Sequence, residues 1–446
     1  MLTVKTLKQL IQKGQIDTVL CVFPDMAGRL MGKRMVGRYF VDTVLKDSLH
    51  ACAYLLTVDM EMEPLPGFST ASWASGYQDM KAIPDVSTLR LIPWLEKTAL
   101  VMCDLATEEG KPVEISPRYI LKRQIARLTA LGLRAKMASE LEFYVYQDSF
   151  ESAQRKHFHD LDPVSAYLED YHILQTTKEE PLIRRIRNAM EGADIPVENS
   201  KGEWGRGQAE INLRYADVLE MADRHVIYKN GVKEIAFQEG KAVTFMAKPH
   251  ADQAGSSFHL HSSLWNRAGT KNQFSAKPSV FQHFIAGQLK LGRALTCFYA
   301  PTINSYKRYQ SGSFAPTRLV CGKDNRTCGL RVVGEESSLR LENRLPGADG
   351  NPYLAFAATL AAGIHGLQNK LAFHGFYEGN AYEADDVAQV PKTLREAIHV
   401  FTEEPLLVEA FGADVIAHYA HAFALEQSAY DQAVTCWELK RYFERI

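Results

Sequence analysis

The sequence predicts an α+β fold in two domains, residues 1–105 and 106–446, and three observations lead there. A chain of 446 residues is longer than the size at which one core keeps growing. Segments with the two-residue alternation of strands cluster together instead of taking turns with helices, which disfavours a doubly wound parallel sheet. From about residue 350 the spacing of apolar residues becomes helical and stays so to the end.

The elements follow in order. Met1 to Ile11 has apolar residues at helical spacing with lysines between them, which reads as an amphipathic helix and not as the unbroken apolar core of a signal peptide. Asp17 to Phe23 reads as a strand and Pro24 to Arg29 as its turn. Glu61 to Gln78 is rich in Pro, Gly, Ser and aromatic residues, the composition of a loop set against a partner or a site. Ser116 as N-cap and Pro117 at the first helical position start a helix that runs to about Leu131 and stops at Gly132. Residues 148–195 read as mostly helical. Tyr353 to Leu367 is the longest apolar stretch; opened by Asn351 and Pro352 and containing His365, it suits a buried core helix better than a membrane span, which needs about 20 residues.

Composition excludes several classes of partner. Hydrophobic content of 46%, charged content of 23% and a net charge of -2 describe an ordinary soluble protein. With 51 basic against 53 acidic residues there is no nucleic-acid footprint and no sign of membrane attachment. The seven cysteines, at 21, 52, 103, 297, 321, 328 and 436, form no C-x-x-C pair, so a reducing, cytoplasmic setting is expected, without a disulfide framework or structural zinc.

Chemistry gathers in four stretches with strand alternation: Ala138 to Phe143, Glu210 to Arg214, Phe258 to Ser263 and Leu339 to Arg344. Alternation puts Glu140 with Glu142, His259 with His261, and Arg340 with Glu342 and Arg344 on shared faces. Solvated strand faces would favour Lys and Thr, and no Lys stands on these. Such a surface is suited to metal ions and a polyanion. Phosphate loops of the usual kinds are missing: Gly28 to Arg34 is one residue short and lacks the Ser or Thr for magnesium, and no G-x-G-x-x-G occurs. ATP, if used, must then be held by metal ions and arginines. Glu140, Glu142, Glu203, Glu210, His259 and Glu342 could supply two hard-metal sites for Mg2+ or Mn2+. The glycines between Glu203 and Glu210 let those two acids converge. Arg308, Arg326, Arg331, Arg340 and Arg344 offer forks that match carboxylate and phosphoryl oxygens.

Taken together, Glu140-Leu141-Glu142-Phe143, Glu203 through Gln208 to Glu210, Thr244-Phe245-Met246-Ala247-Lys248-Pro249, Gly255-Ser256 with His259 and His261, Asn304 to Arg308, Asn325-Arg326, and Arg340-x-Glu342-x-Arg344 before Asn351-Pro352-Tyr353-Leu354 resemble the glutamine synthetase superfamily over nearly the whole length. The resemblance implies a small N-terminal β-grasp domain and a catalytic domain built on a curved antiparallel half-barrel with surrounding helices. It also implies a homo-oligomer of stacked rings, commonly a dodecamer of two hexamers, with active sites between subunits. Glu142, Glu203 and Glu210 would hold one metal ion, and Glu140, His259 and Glu342 the ion near the ATP phosphates. Glu198, His261, Ser263, Arg331 and Arg340 would fall on the nucleotide side, Gly255, Arg308 and Arg344 would face glutamate, and Arg326 the transferred phosphoryl group.

The departures bear on the nitrogen donor. Where family members that make glutamine have an Asp-Gly-Ser-Ser motif, this chain reads Glu63 to Thr70 without a counterpart; where they have Gly-x-Glu-Ala-Pro, it reads Gly312-Ser313-Phe314-Ala315-Pro316. An acidic cradle for ammonium has become an apolar mouth, better suited to an alkyl substituent. Ala254 replaces a glutamate-loop Asn and Ser337 a nucleotide-side Lys. Phe314, Asp324 to Thr327 and Leu345 to Asp349 look like the branch that joins glutamate to organic amines, as in γ-glutamylpolyamine synthetases. Tyr382 sits near a tyrosine that some bacterial members adenylylate, but the surrounding residues differ and a surface loop is expected. The expected activity is ATP-dependent formation of a γ-glutamyl amide from glutamate and a primary amine, serving amine or polyamine utilisation. Arg326, Glu203 and Arg308 act in catalysis on this reading, Tyr171 and Phe314 line the amine site, and Glu203 with Tyr171 would hold the amine's proton. Ordinary glutamine synthesis from ammonia, and a catalytically silent ring-forming relative, are the alternatives.

Overall fold

A computed structural model describes residues 1–446. The first helix spans Val4–Gln12, its N-terminus capped by the Thr3 hydroxyl, which accepts from the Thr6 amide at 3.1 Å. Six strands follow: β1 (Thr18–Pro24), β2 (Leu30–Val36), β3 (Leu49–Cys52), β4 (Asp79–Pro84), β5 (Arg90–Leu91) and β6 (Thr98–Ala106). They form one sheet in the order β2-β1-β6-β4-β3, with β5 also on β6; only the β1–β6 pair is parallel. The turn after β1 closes on Asp25, whose carboxylate accepts from the Ala27 and Arg29 amides at 3.0 and 2.7 Å.

After Thr18, β1 is apolar because it is covered on both sides. Val19, Cys21 and Phe23 enter a small core with Leu7, Ile11 and Phe40, while Leu20 and Val22 join the large core beneath the second sheet. The segment Glu61 to Gln78 contains no helix or regular strand. Its Phe68 stacks on His418 and His421, at 4.7 and 4.8 Å, so the loop lies against this chain's own helix Ala413–Gln432.

The second sheet has nine strands: β7 (Leu133–Tyr146), β8 (Val197–Gly202), β9 (Gln208–Leu213), β10 (Ala216–Asp217), β11 (Ala242–Thr244), β12 (Phe258–Asn266), β13 (Cys321–Lys323), β14 (Leu330–Val333) and β15 (Arg340–Asn343). The order is β13-β14-β15-β12-β7-β9-β8, with β10 and β11 on β7, and every pair but β13–β14 is antiparallel. The result is a curved half-barrel, and the fold is α+β. Leu141, Phe143, Ile211, Leu260 and Leu341 all enter the large core. Helices Pro117–Ala130 and Val218–Gln238 pack against β7, and Pro352–Gln368 packs on both.

Helix Pro352–Gln368 is buried around nearly its whole circumference and is capped by Asn351, whose side chain accepts from the Tyr353 amide. It runs so close to helix Pro278–Leu291 that a Cβ on Gly287 would stand 2.0 Å from the Ala362 carbonyl oxygen. No helix is long and apolar enough to cross a membrane. All seven cysteines are free thiols.

Residues 148–195 depart from the mostly helical expectation. Helix forms only at Phe150–Arg155, Ile173–Thr176 and Glu180–Gly192. Between them Pro163 keeps Asp162 out of the helical region, and Asp148 ties the chain back by accepting from the Asp162 amide at 2.9 Å and the Ser152 hydroxyl at 2.7 Å. The irregular stretch that results forms part of a cavity wall, described next.

Candidate active site

Strand register builds the site. Glu142 pairs with Glu210 and Glu140 with Asn212 across β7 and β9; His259 pairs with Glu140 across β12 and β7; Glu342 pairs with His261 on one side and Arg331 on the other. Lys201 of β8 faces Glu210. Because strand neighbours alternate, one face carries these charged groups and the other the apolar core.

Two clusters result, in each of which the ligand atoms lie within 4.8 Å of one another: Glu142, Glu203 and Glu210, and Glu140, His261 and Glu342. Their electrostatics differ. Burial pushes the Glu142 carboxyl up, with help from Glu203, and pushes Glu210 well up, with help from Glu140, Glu203 and Glu142. Lys201, in contact with Glu203, pulls Glu210 the other way but is outweighed. Burial also opposes ionisation of Glu140, but His259 and His261 more than compensate and hold it far below the usual carboxylate range. Glu342 is likewise buried, yet Arg344, His259 and His261 bring it down to about 2. A crowded, undercompensated carboxylate cluster beside a second carboxylate and imidazole cluster is a donor set that fits hard divalent cations.

Both histidines reach Glu140. His259 Nδ1 lies 3.2 Å from Glu140 and 3.5 Å from Glu342, and His261 Nε2 lies 2.8 Å from Glu140. Arg340 Nε donates to His261 Nδ1 at 3.2 Å, which leaves the ring proton of His261 on Nε2, pointing at Glu140. The cluster of converging donor atoms thus contains His261 where the sequence put His259, and His259 lies beside it against the same two carboxylates.

A cavity of about 1190 Å³ collects most of the residues singled out from sequence. Glu140, Glu142, Glu203, Glu210, His259 and Glu342 line it, with Gly255, Arg308, Arg326, Arg331 and Arg344, and with Tyr171 and Phe314 at its apolar side. Arg331 donates to Glu342 at 2.9 Å and to Asp324 at 3.0 Å. Arg308 differs from expectation: its Nη2 donates to the Arg344 and Pro346 carbonyls, both at 3.1 Å, so that part of the fork holds backbone and only the remainder can meet a carboxylate. Glu198, His261, Ser263 and Arg340 line a second cavity with Lys136, Tyr215 and Trp265. The two cavities share Glu140 and Asn212.

Several lining residues escaped sequence reasoning. Ser257 donates its amide to Glu142 at 2.8 Å and Gln208 donates to it at 3.3 Å; both stand inside stretches already singled out. Asp170 and Trp204 line the large cavity beside Tyr171 and Glu203. Trp265 continues the face of His259, His261 and Ser263, so extending the alternation by one step would have found it. Lys136 lies 3.9 Å from the Trp265 ring centroid, a contact between strand ends that spacing alone does not reveal.

Residues 114–442 match the family model described as the glutamine synthetase catalytic domain. The chain belongs to the glutamine synthetase family. Among its relatives, the gamma-glutamylethanolamide synthetase GlnA4 of Streptomyces coelicolor is 48% identical, covering 100% of this chain and 96% of the relative. The glutamate--isopropylamine ligase of a Pseudomonas species is 37% identical over 98% of this chain and 97% of the relative. Of the solved structures, apo GmaS superposes with a TM-score of 0.85 and a GmaS complex with ADP with 0.86, each at 27% identity; the match spans 98% of this chain, and 98% and 99% of those chains respectively. Glutamine synthetase family enzymes are ligases that use ATP and a divalent metal, and this chain is an enzyme of that kind.

Proposed function

We propose that this enzyme joins the γ-carboxyl group of glutamate to a primary organic amine at the expense of ATP, in amine or polyamine utilisation. The observation that carries the proposal is the group of aromatic side chains that shares the cavity with the carboxylate cluster. Tyr167, Tyr171, Trp204 and Phe314 line it, Phe314 in the stretch where ammonium-using members carry an acid, with Asp170 the acid beside Tyr171. The names of the two relatives, an ethanolamide synthetase and an isopropylamine ligase, support the same reading.

Glu142, Glu203 and Glu210 would hold one Mg2+ or Mn2+ ion, and Glu140, His259 and Glu342 a second. When bound, the ions supply positive charge that offsets the phosphate oxygens. The two joined cavities would seat ATP, its base beside Tyr215, Trp265, Arg340 and Ser263 and its phosphates toward Arg331 and Arg326. Gly255, Arg344 and the unspent part of Arg308 would orient glutamate. Its γ-carboxylate attacks the terminal phosphorus in line and ADP leaves; Arg326 and Arg331 stabilise the charge on the transferred group, a step governed by positioning and electrostatics. The amine nitrogen then attacks the acyl carbon of γ-glutamyl phosphate, phosphate departs, and Glu203 with Tyr171 takes the proton.

The larger assembly belongs to the same proposal. A β-grasp domain of residues 1–105 would close the catalytic domain of a neighbour in a dodecamer of two stacked rings. Val434, Trp437, Phe443 and Ile446 leave apolar surface uncovered in the single chain, which favours burial between subunits. A reducing cytoplasm suits the free thiols.

The test is glutamate-dependent phosphate release from ATP, with Mg2+ or Mn2+, across ammonia, ethylamine, ethanolamine, putrescine, spermidine and aniline. Strong release with an organic amine and little with ammonia is expected. Release with ammonia alone would return the enzyme to glutamine synthesis, and normal turnover by Glu142→Ala or Glu342→Ala would refute the metal assignment.

A further inference from the structure

Tyr382 was expected on a surface loop, and it stands in an irregular stretch among exposed residues, but with its own side chain tucked in. The residue is half-buried on the short helical turn Ala381–Glu383, and its hydroxyl donates to the Ala315 carbonyl at 3.0 Å. The preceding carbonyl, of Phe314, accepts from Arg344 Nη2 at 3.3 Å. Two consecutive peptide oxygens are thus each held by a side chain, one by a site arginine and one by a phenol.

Phe314 needs this support. Its φ is 59°, in the left-handed region that L side chains other than Asn and Asp rarely adopt. Its ring is half exposed, so packing alone does not set its position. The ring and that of Trp204 meet edge to face with centroids 6.4 Å apart, and both line the large cavity. Burial raises the Tyr382 phenol, which keeps it protonated and a donor through the neutral range.

The same turn is anchored on its other side to the loop that carries Arg326. Asn325 donates to the Gly379 carbonyl at 2.8 Å, and the Ala381 amide donates to the Thr327 hydroxyl at 2.9 Å. Ala381 also packs with Val320 and Cys328. The segment from Gly379 to Tyr382 is therefore a strut between two loops of the site, fixed at the Arg326 end by backbone groups and at the Phe314 end by a single side-chain hydroxyl.

We infer that Tyr382 is a positioning residue for selection of the nitrogen donor: through the Ala315 carbonyl its hydroxyl holds the Phe314 ring in the wall that receives the organic part of the amine. The inference rests on the ligase reading proposed above. It assigns Tyr382 no contact with substrate and no part in phosphoryl transfer.

Tyr382→Phe removes the hydroxyl and little else. Loss of one hydrogen bond should raise KM for the preferred organic amine by about three- to tenfold. KM for ATP, glutamate and ammonia should stay unchanged, as should kcat and the thermal midpoint. Phe314→Ala should raise the amine KM further, and adding Tyr382→Phe to it should have no additional effect, because both act through one ring. An unchanged amine KM in Tyr382→Phe, an additive double variant, or an equal rise in the ATP and glutamate KM values would overturn the inference. A readout that needs no amine separates it from the parent proposal. The emission of Trp204, isolated by subtracting the spectrum of Trp204→Phe, should move in Tyr382→Phe in the direction seen in Phe314→Ala. If the wild-type enzyme uses only ammonia, the ligase reading fails, and the Trp204 signal still decides whether Tyr382 holds Phe314: an unmoved spectrum refutes it.

Discussion

Arg118→Met should uncouple the N-terminal sheet from the helices behind the half-barrel. Arg118 is 1% exposed and binds three carboxylates. Two of them come from the smaller sheet and its connections, Asp85 at 2.8 Å and Asp104 at 2.5 Å. The third, Asp223 on helix Val218–Gln238, accepts from Arg118 Nε and Nη2 at 3.0 and 2.9 Å. Burial works against the charge on Arg118, and Asp223 more than any other group restores it. After truncation Asp85 and Asp104 can turn to water, being 22% and 36% exposed, and Asp104 keeps Lys122. Asp223, 1% exposed, is left with the Tyr353 hydroxyl at 2.6 Å.

The loss therefore concentrates on one stranded carboxylate, and removing one partner of a buried pair costs about 3–5 kcal/mol. With a urea slope of about 3 kcal/mol/M, that lowers the unfolding midpoint by about 1–1.7 M. Adding Asp223→Asn removes the stranded charge, so the double variant should be more stable than the sum of the single losses requires. The assay is urea unfolding of wild type, both single variants and the double variant at one protein concentration. A midpoint shift under about 0.3 M for Arg118→Met, or a coupling below about 0.5 kcal/mol, would refute the reasoning.

Three further outcomes are expected. Since Glu142 and Glu210 are pushed up in the unloaded protein and must be ionised to hold a cation, Mn2+ affinity should strengthen as pH rises, by up to about tenfold per pH unit for each proton released; calorimetric affinity that is flat from pH 5.5 to 8.5 would contradict this. Glu179 is pushed up to about 9, first by burial and then by Glu169, from an ordinary value of 4.5. The folded state therefore holds a proton that the unfolded state releases: this contribution to stability is complete below pH 4.5 and is lost as pH climbs toward 9, so Glu179→Gln should melt higher than wild type at pH 8.5 but not at pH 4.5. Gly287→Ala would drive a methyl group into the Ala362 carbonyl, and an overpacking loss of about 1–3 kcal/mol or more should appear as a lower thermal midpoint; an unchanged midpoint would show that the two helices can part freely.

Sequence revealed the strands of the site because alternation is a local property. The faces carrying Glu140 with Glu142, His259 with His261, and Glu342 with its arginines could each be read within one segment, and so could the helices begun by Pro117 and Pro352. What alternation cannot show is which strands adjoin, and hence that His259 meets both Glu140 and Glu342, or that Arg340 claims one nitrogen of His261. Residues 156–172 misled for a related reason. Their composition tolerates helix, but Asp148 and Pro163 fix an irregular path, and the first of these acts through a contact across 14 residues. Arg308 was legible as a cation of the site, whereas its burial and its engagement with backbone carbonyls belong to tertiary structure alone.

The pleat of the half-barrel sets what can be altered in this protein without breaking it. Along β7 and β12 every charged position has a core residue as its immediate neighbour, so deleting one residue would turn core and ligands inside out together. Those strands tolerate substitution but not changes in length. Tyr171, Trp204 and Phe314 sit instead in three separate connections, after Pro163, between β8 and β9, and before β13. Connections can grow, shrink or be exchanged while the pleat stays in register. On the proposed ligase reading, grafting these three loops from another member of the family, with Glu203 kept in place, is thus the direct route to a new nitrogen donor on an inherited strand surface.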